Sequence, residues 1–191
     1  MFIQTQETPN PNTLKFFPGR LISKDKIVEY KTEEEAKTSS PLAAQLFNIQ
    51  GVSSILFATD FIAISKSNCE WKHIKPAILA VILEYFLSNE NVYAENQAAP
   101  AAISANNDEE FFEEKDKEIV NCIKELLASH IRDAVARDGG DITFRGYRDG
   151  TVYLKMHGAC SGCPSASATL KQGVENLLKH FIPQLKQVQQ V

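Results

Sequence analysis

Apolar residues return every third or fourth position over residues 71–87, where Ile74, Ile78, Ile82 and Tyr85 fall on one side of a helical turn, with Val81 and Phe86 beside them. The spacing predicts a helix, with Pro76 in its first turn, where a missing N–H has no partner to lose. Upstream, "SSPLAAQLFNIQG" carries helix punctuation: Ser40 as N-cap, Pro41 at the first helical position and Gly51 past the end. "LKFFPG" reads as a short strand stopped by Pro18–Gly19. "VSSILFA" and "FIAIS" read as two strands joined through Thr59–Asp60, a hairpin signal.

The second half of the chain repeats the exercise with a different order. Ile119, Ile123, Leu126, Leu127, Ala134 and Val135 recur at helical spacing until "RDGGD" at 137–141 stops the helix. "DITFRGY" and "TVYLKMH" follow, joined by Arg148–Asp149–Gly150. In the second of these, Val152, Leu154 and Met156 alternate with Tyr153, Lys155 and His157, so one face is buried and His157 is expected to face solvent. After the turn "GACSGCPSA", Pro164 opens a helix on which Leu170, Val174, Leu177, Leu178 and Phe181 share a face, and Pro183 ends it. "QLKQVQQV" reads as a last short strand. The order is helix, strand, strand, helix, strand, and no internal repeat links the two halves.

Between them, "LSNENVYAENQAAPAAISANNDEEFFEEKDKE" is rich in Ala, Asn and Glu and poor in large apolar groups. Such a stretch buries too little surface to offset its ordering entropy and reads as a flexible linker. The fold class is therefore α+β: a mixed α/β domain at 1–87, a flexible acidic linker at 88–112, and a second domain of α-β-β-α-β order at 113–191.

Charge sharpens this division. The net −4 is uneven: residues 1–87 hold nine acids and nine bases, residues 88–118 nine acids and two bases, and residues 119–191 six acids and nine bases. The acidity belongs to the connector, and no strong basic patch exists, which argues against sequence-specific nucleic-acid binding. No apolar run of membrane-spanning length occurs, so no membrane partner is expected. The opening "MFIQTQETPNPNT" has neither a basic n-region nor an apolar h-region, and is not Arg- and Ser-rich.

Four cysteines in 191 residues are too few for a secreted disulfide scaffold. Cys160 and Cys163 form a Cys-x-x-Cys pair in a Gly/Pro turn between a strand and a helix. Unpaired N–H groups and the dipole of a helix start favour thiolate, and Gly158 and Gly162 allow a sharp turn. The site is expected to hold negative sulfur. A thioredoxin-like dithiol, half a zinc site, half an iron–sulfur ligand set and an idle pair all remain open at this point. Two thiols per chain would become four in a two-fold dimer, enough for one bridging cluster. Cys69 and Cys122 have no ligand spacing and read as packing residues, as do His73, His130 and His180 as non-ligands. "DGGD" lacks the P-loop lysine and follows a helix, so it reads as a helix stop. No nucleophile with a base and no paired-carboxylate site is present, and no enzyme is expected.

"RDGGDITFRGYRDGTVYLKMHGACSGCPSASATLKQGVENLLK" resembles the C-terminal domain of NifU-like proteins. "TPNPNTLKFFPG", "SPLAAQLFNIQGVSSILFATDFIAISK" and "WKHIKPAIL" resemble the Nfu-type N-terminal domain. The likeness covers nearly all the chain outside the linker. It implies an iron–sulfur cluster scaffold or carrier that holds a labile cluster, usually [4Fe–4S] with [2Fe–2S] as the alternative, between the Cys160–Cys163 pairs of two subunits. It implies a homodimer joined by the cluster, upstream assembly proteins as donors and apo iron–sulfur proteins as acceptors. The N-terminal domain is implied to recognise partners. Ala166 departs from relatives with a second serine after the proline, and leaves the ligands intact. The runner-up is a thiol–disulfide oxidoreductase using the same two cysteines. The expected location is the cytoplasm for a bacterial chain, or the mitochondrial matrix for a processed eukaryotic one.

Overall fold

The computed structural model describes residues 2–23, 27–88, 91–93, 110–161 and 164–191, without the side chains of 164–167. The chain divides into two compact units, Met1–Asn106 and Asn107–Val191.

The first unit is an antiparallel sheet with helices on one face. Its strands are β1 (Gln4–Glu7), β2 (Thr13–Phe17), β3 (Val28–Tyr30), β4 (Val52–Phe57) and β5 (Ile62–Lys66), in the order β1-β2-β5-β4-β3. β4 and β5 form the hairpin read from Thr59–Asp60, with Phe57 opposite Ile62. α1 (Glu33–Ser39) begins at a capping box: Thr32 accepts from the Glu35 backbone N–H, and the Glu35 carboxylate accepts from the Thr32 N–H. α2 (Pro41–Phe47) starts as expected, with Ser40 accepting from the Ala43 N–H and Pro41 first in the helix.

α3 (Trp71–Ser88) lays Ile74, Ile78, Ile82 and Tyr85 against Phe16, Ile55, Phe57, Ile62 and Ile64. Each fully buried aliphatic side chain contributes roughly 1.5–3 kcal/mol, so this face is what holds the helix down. Pro76 is not in the first turn. The helix begins at Trp71, which puts Pro76 in the second turn and removes one interior N–H. The opposite face of the sheet carries a smaller cluster of Leu56, Ala58, Phe61 and Ala63 with Phe17 and Ile27. The Lys15 ammonium lies over the Phe17 and Phe61 rings, at 5.4 and 5.1 Å.

The unit does not end with α3. Val92 is buried in its core, Ser40 Oγ donates to the Val92 carbonyl at 2.6 Å, and Tyr85 donates to Asn91. At the far end of the segment read as a linker, Phe111 pairs with Gly146 of the second unit. Between these contacts, residues 94–109 lie outside the described residues.

The second unit packs helices on a three-stranded sheet. α4 (Lys117–Leu126), a π-turn (Leu127–Ile131) and α5 (Arg132–Arg137) run on from one another. The wide π-turn shifts the helical phase. Val120, Ile123, Leu126, Leu127, Ile131 and Val135 are buried, whereas Ala134, counted on the apolar face by simple spacing, is exposed. β6 (Gly140–Arg148) and β7 (Thr151–Gly158) are antiparallel. α6 (Pro164–Phe181) then crosses over so that β8 (Gln187–Gln190) runs parallel to β7, in the order β6-β7-β8. The element order matches the sequence reading. Val174 and Leu178 of α6 are buried, but Phe181 is 52% exposed, and Ile182 and Leu185 fill the core in its place.

Candidate metal centre

The register of one hairpin builds this site. Gly140, the first residue of β6, pairs with Gly158, the last of β7. That pairing lays the helix stop at 137–141 beside the cysteine turn, although the two are about twenty residues apart in the chain. Gly139 takes a positive φ of 81°, and its carbonyl accepts the Ala159 N–H at 3.1 Å. The Ser161 N–H and hydroxyl both donate to the Gly158 carbonyl, at 3.1 and 2.9 Å, which closes the turn.

Cys160 points inward from this turn. It is 5% exposed and belongs to the core that contains Val135, Ile142, Met156 and Val174. Its sulfur rests against Gly140: a Cβ built at that glycine would come within 2.6 Å of Sγ. Burial pushes the Cys160 thiol up to about 12, and the carboxylates of Asp138 and Asp141 push the same way. This corrects the expectation of a thiolate favoured by the α6 N-terminus. Desolvation is the largest cause of the shift at Cys160, ahead of the two carboxylates. Cys163 and Gly162 lie outside the described residues.

Polar pairs lie along the hairpin that leads into the turn, where Asp141 is opposite His157. Arg132 reaches the buried Asp141 carboxylate with two contacts of 3.3 Å, Nε to Oδ1 and a terminal nitrogen to Oδ2. His157 is not solvent-facing as the strand alternation suggested. It is 4% exposed, and its Nε2 is hydrogen-bonded to Thr143 Oγ1 at 3.2 Å across the hairpin. Cys69 and Cys122 are both partly buried against their own cores, and the Cys69 thiol donates to the Gly51 carbonyl at 3.8 Å. Cys69, Cys122 and Cys160 form no disulfide. Among the described residues, no group of three or more His, Cys, Asp or Glu side chains is placed to hold a metal.

Sequence reasoning missed Gly140 and the Arg132–Asp141 pair. One signal was available. A single glycine with positive φ is enough to end a helix, and Gly139 supplies it. The second glycine of "DGGD" needs another reason: a side chain there would meet both the Cys160 sulfur and the His157 backbone carbonyl, each at 2.6 Å.

Two family models account for most of the chain. The scaffold protein Nfu/NifU N-terminal family matches residues 3–89, and the NifU-like domain matches residues 123–189. The chain belongs to the Nfu/NifU scaffold protein family. Over 193 aligned positions it is 44% identical to the human "NFU1 iron-sulfur cluster scaffold homolog, mitochondrial", covering all of this chain and 72% of that protein. The protein of the same name from Drosophila sechellia is 48% identical, with all of this chain and 65% of the relative covered. Among solved structures, a NifU-like protein from Saccharomyces cerevisiae, determined by solution NMR, shares 31% identity over 50% of this chain and 87% of its own, with a TM-score of 0.46.

Within this Nfu/NifU chain, Cys160 and Cys163 both fall in the NifU-like domain, and Cys69 falls in the Nfu-type domain. Cys122 lies immediately before the NifU-like match.

Proposed function

We propose that this chain is a carrier of a labile iron–sulfur cluster, [4Fe–4S], held between the Cys160–Cys163 pairs of two copies and passed to apo-proteins. The cluster is cargo. The observation that carries the reading is Cys160 on the tight turn between β7 and α6 of a NifU-like domain. Two soft thiolates per chain are half of the usual ligand set, and a two-fold pair of chains completes it. Cys160 and Cys163 are the ligands, residues 113–191 form the cluster-binding domain, and residues 1–87 recognise the proteins that supply or receive the cluster. The relatives are named as mitochondrial, and the mitochondrial matrix is the location that suits a eukaryotic chain of this family.

The buried Cys160 also weighs against a thiol–disulfide oxidoreductase. Such an enzyme attacks through an accessible thiolate, whereas Cys160 is 5% exposed. The proposed role is non-enzymatic. Anaerobic reconstitution tests the reading directly. Iron and sulfide should bind with about four of each per pair of chains, and a chain that takes up neither would end it.

A further inference from the structure

Cys160 sits awkwardly for the task proposed for it. A ligand shared with a second chain has to present its sulfur outward, yet Cys160 is 5% exposed and packed into the core of its own unit. Gly140 leaves room for it there, beside the His157 carbonyl. A side chain at 140 would bring its Cβ to 2.6 Å from Sγ and 3.1 Å from the Cys160 Cβ, closer than such atoms approach. Gly139 already provides the positive φ that ends the helix, and Gly140 has no such dihedral. The glycine at 140 is therefore required by its neighbours, among them the His157 carbonyl, and not by its own backbone. The Ala159 N–H bond to Gly139 holds the turn down over this spot.

We propose that Gly140 is a positioning residue: it keeps open a seat in which the Cys160 sulfur is stowed while the chain carries no cluster, and loading lifts the 159–161 turn off that seat. The proposal rests on the carrier reading of the site. Its consequence is directional. Return of the sulfur to its seat competes with ligation and so favours release of the cargo.

The test uses the full-length, cluster-free protein, alkylated anaerobically with iodoacetamide, with each cysteine followed by peptide mass spectrometry. Cys160 should react about tenfold or more slowly than Cys122, because a seated thiol reacts only through local opening. Gly140→Ala should raise the Cys160 rate by about tenfold or more and leave Cys122 unchanged. Gly146→Ala is the control. A side chain there meets the Phe111 ring instead, on the same strand, and the Cys160 rate should not move. On loading, the Ala159 amide should exchange with deuterium faster. Cys160 reacting as fast as Cys122 in the unaltered chain would overturn the proposal, as would equal rises in the two glycine variants. Unchanged Ala159 exchange would remove the lifting step. Should Gly140→Ala fail to fold, the comparison within the unaltered chain still decides. Iron uptake is scored separately: a slow Cys160 in a chain that never binds iron would sink the carrier reading and not the seat.

Discussion

The Glu175 carboxylate of α6 accepts the backbone N–H of Val188 in β8 at 2.9 Å, and its other oxygen accepts from Lys179 at 2.6 Å. β8 is an edge strand, so this N–H points away from the sheet and needs a partner outside it. Glu175 ties the last strand to the crossover helix that follows the cysteine turn.

Glu175→Ala should therefore cost about 1–3 kcal/mol of C-terminal unit stability, and Glu175→Gln less, because the amide oxygen can still accept from Val188. The Lys179 hydrogen bond, then the Val188 N–H, hold the Glu175 carboxyl below its ordinary 4.5. A carboxyl lowered in the folded state adds stability above its unfolded pKa and loses it as pH falls through the folded one. Urea denaturation of residues 107–191 at pH 7 and pH 3 should show the gap between unaltered and Glu175→Gln protein shrinking at the lower pH. An unchanged gap would mean the carboxylate charge plays no part.

In the N-terminal unit the titration runs the other way. Burial raises the Tyr30 hydroxyl from 10.0 to about 12. The folded state then keeps its proton where the unfolded chain has lost it, so stability falls as pH rises from 10 towards 12, by a total of the order of 2 kcal/mol. Burial raises Tyr85 and Tyr93 of the same unit too. Tyr30→Phe should flatten only part of the alkaline slope in thermal melts. A slope that Tyr30→Phe leaves untouched would assign the loss to other groups.

Cys160→Ser or Cys163→Ser should abolish cluster binding, since a hydroxyl is a poor ligand for this soft site. Cys69→Ser and Cys122→Ser should keep it, at a stability cost of about 1 kcal/mol. Visible absorption and iron content of the four variants decide this. A folded but colourless Cys122→Ser protein would break the assignment.

Much of this architecture is legible in the chain, and what is not has physical causes. Ser40 and Pro41 mark a helix start because capping is local chemistry, and Thr59–Asp60 marks a hairpin for the same reason. β1 escapes notice because "QTQE" is polar throughout and leaves no residue buried. The π-turn at Leu127–Ile131 breaks the period on which the placement of Ala134 relied. Phe181 fits the apolar face of α6 by spacing, but packs with His130 at 6.0 Å near the helix end instead of entering the core. At the site, the Cys-x-x-Cys spacing is visible and its environment is not. Whether Cys160 faces a helix start or a core depends on the β6–β7 register, which brings Gly140 to its sulfur from far along the chain.

Cluster and dimer should be linked, because a ligand that binds only the paired state stabilises it by mass action. Loaded protein should sediment as a dimer, and chelated protein should shift towards monomer. A loaded monomer with a full cluster would rule out bridging between two Cys160–Cys163 pairs.

On the carrier reading, the cluster is held in order to be given away. The most direct measurement of this is activation of an apo [4Fe–4S] enzyme by loaded protein, against an equal amount of iron and sulfide, with and without an iron chelator. Direct exchange of thiolate ligands never sets the metal loose in solution, so the loaded protein should activate the acceptor faster and keep that advantage when chelator is present. If the chelator erases the advantage, the cluster is only falling apart, and the carrier account is contradicted.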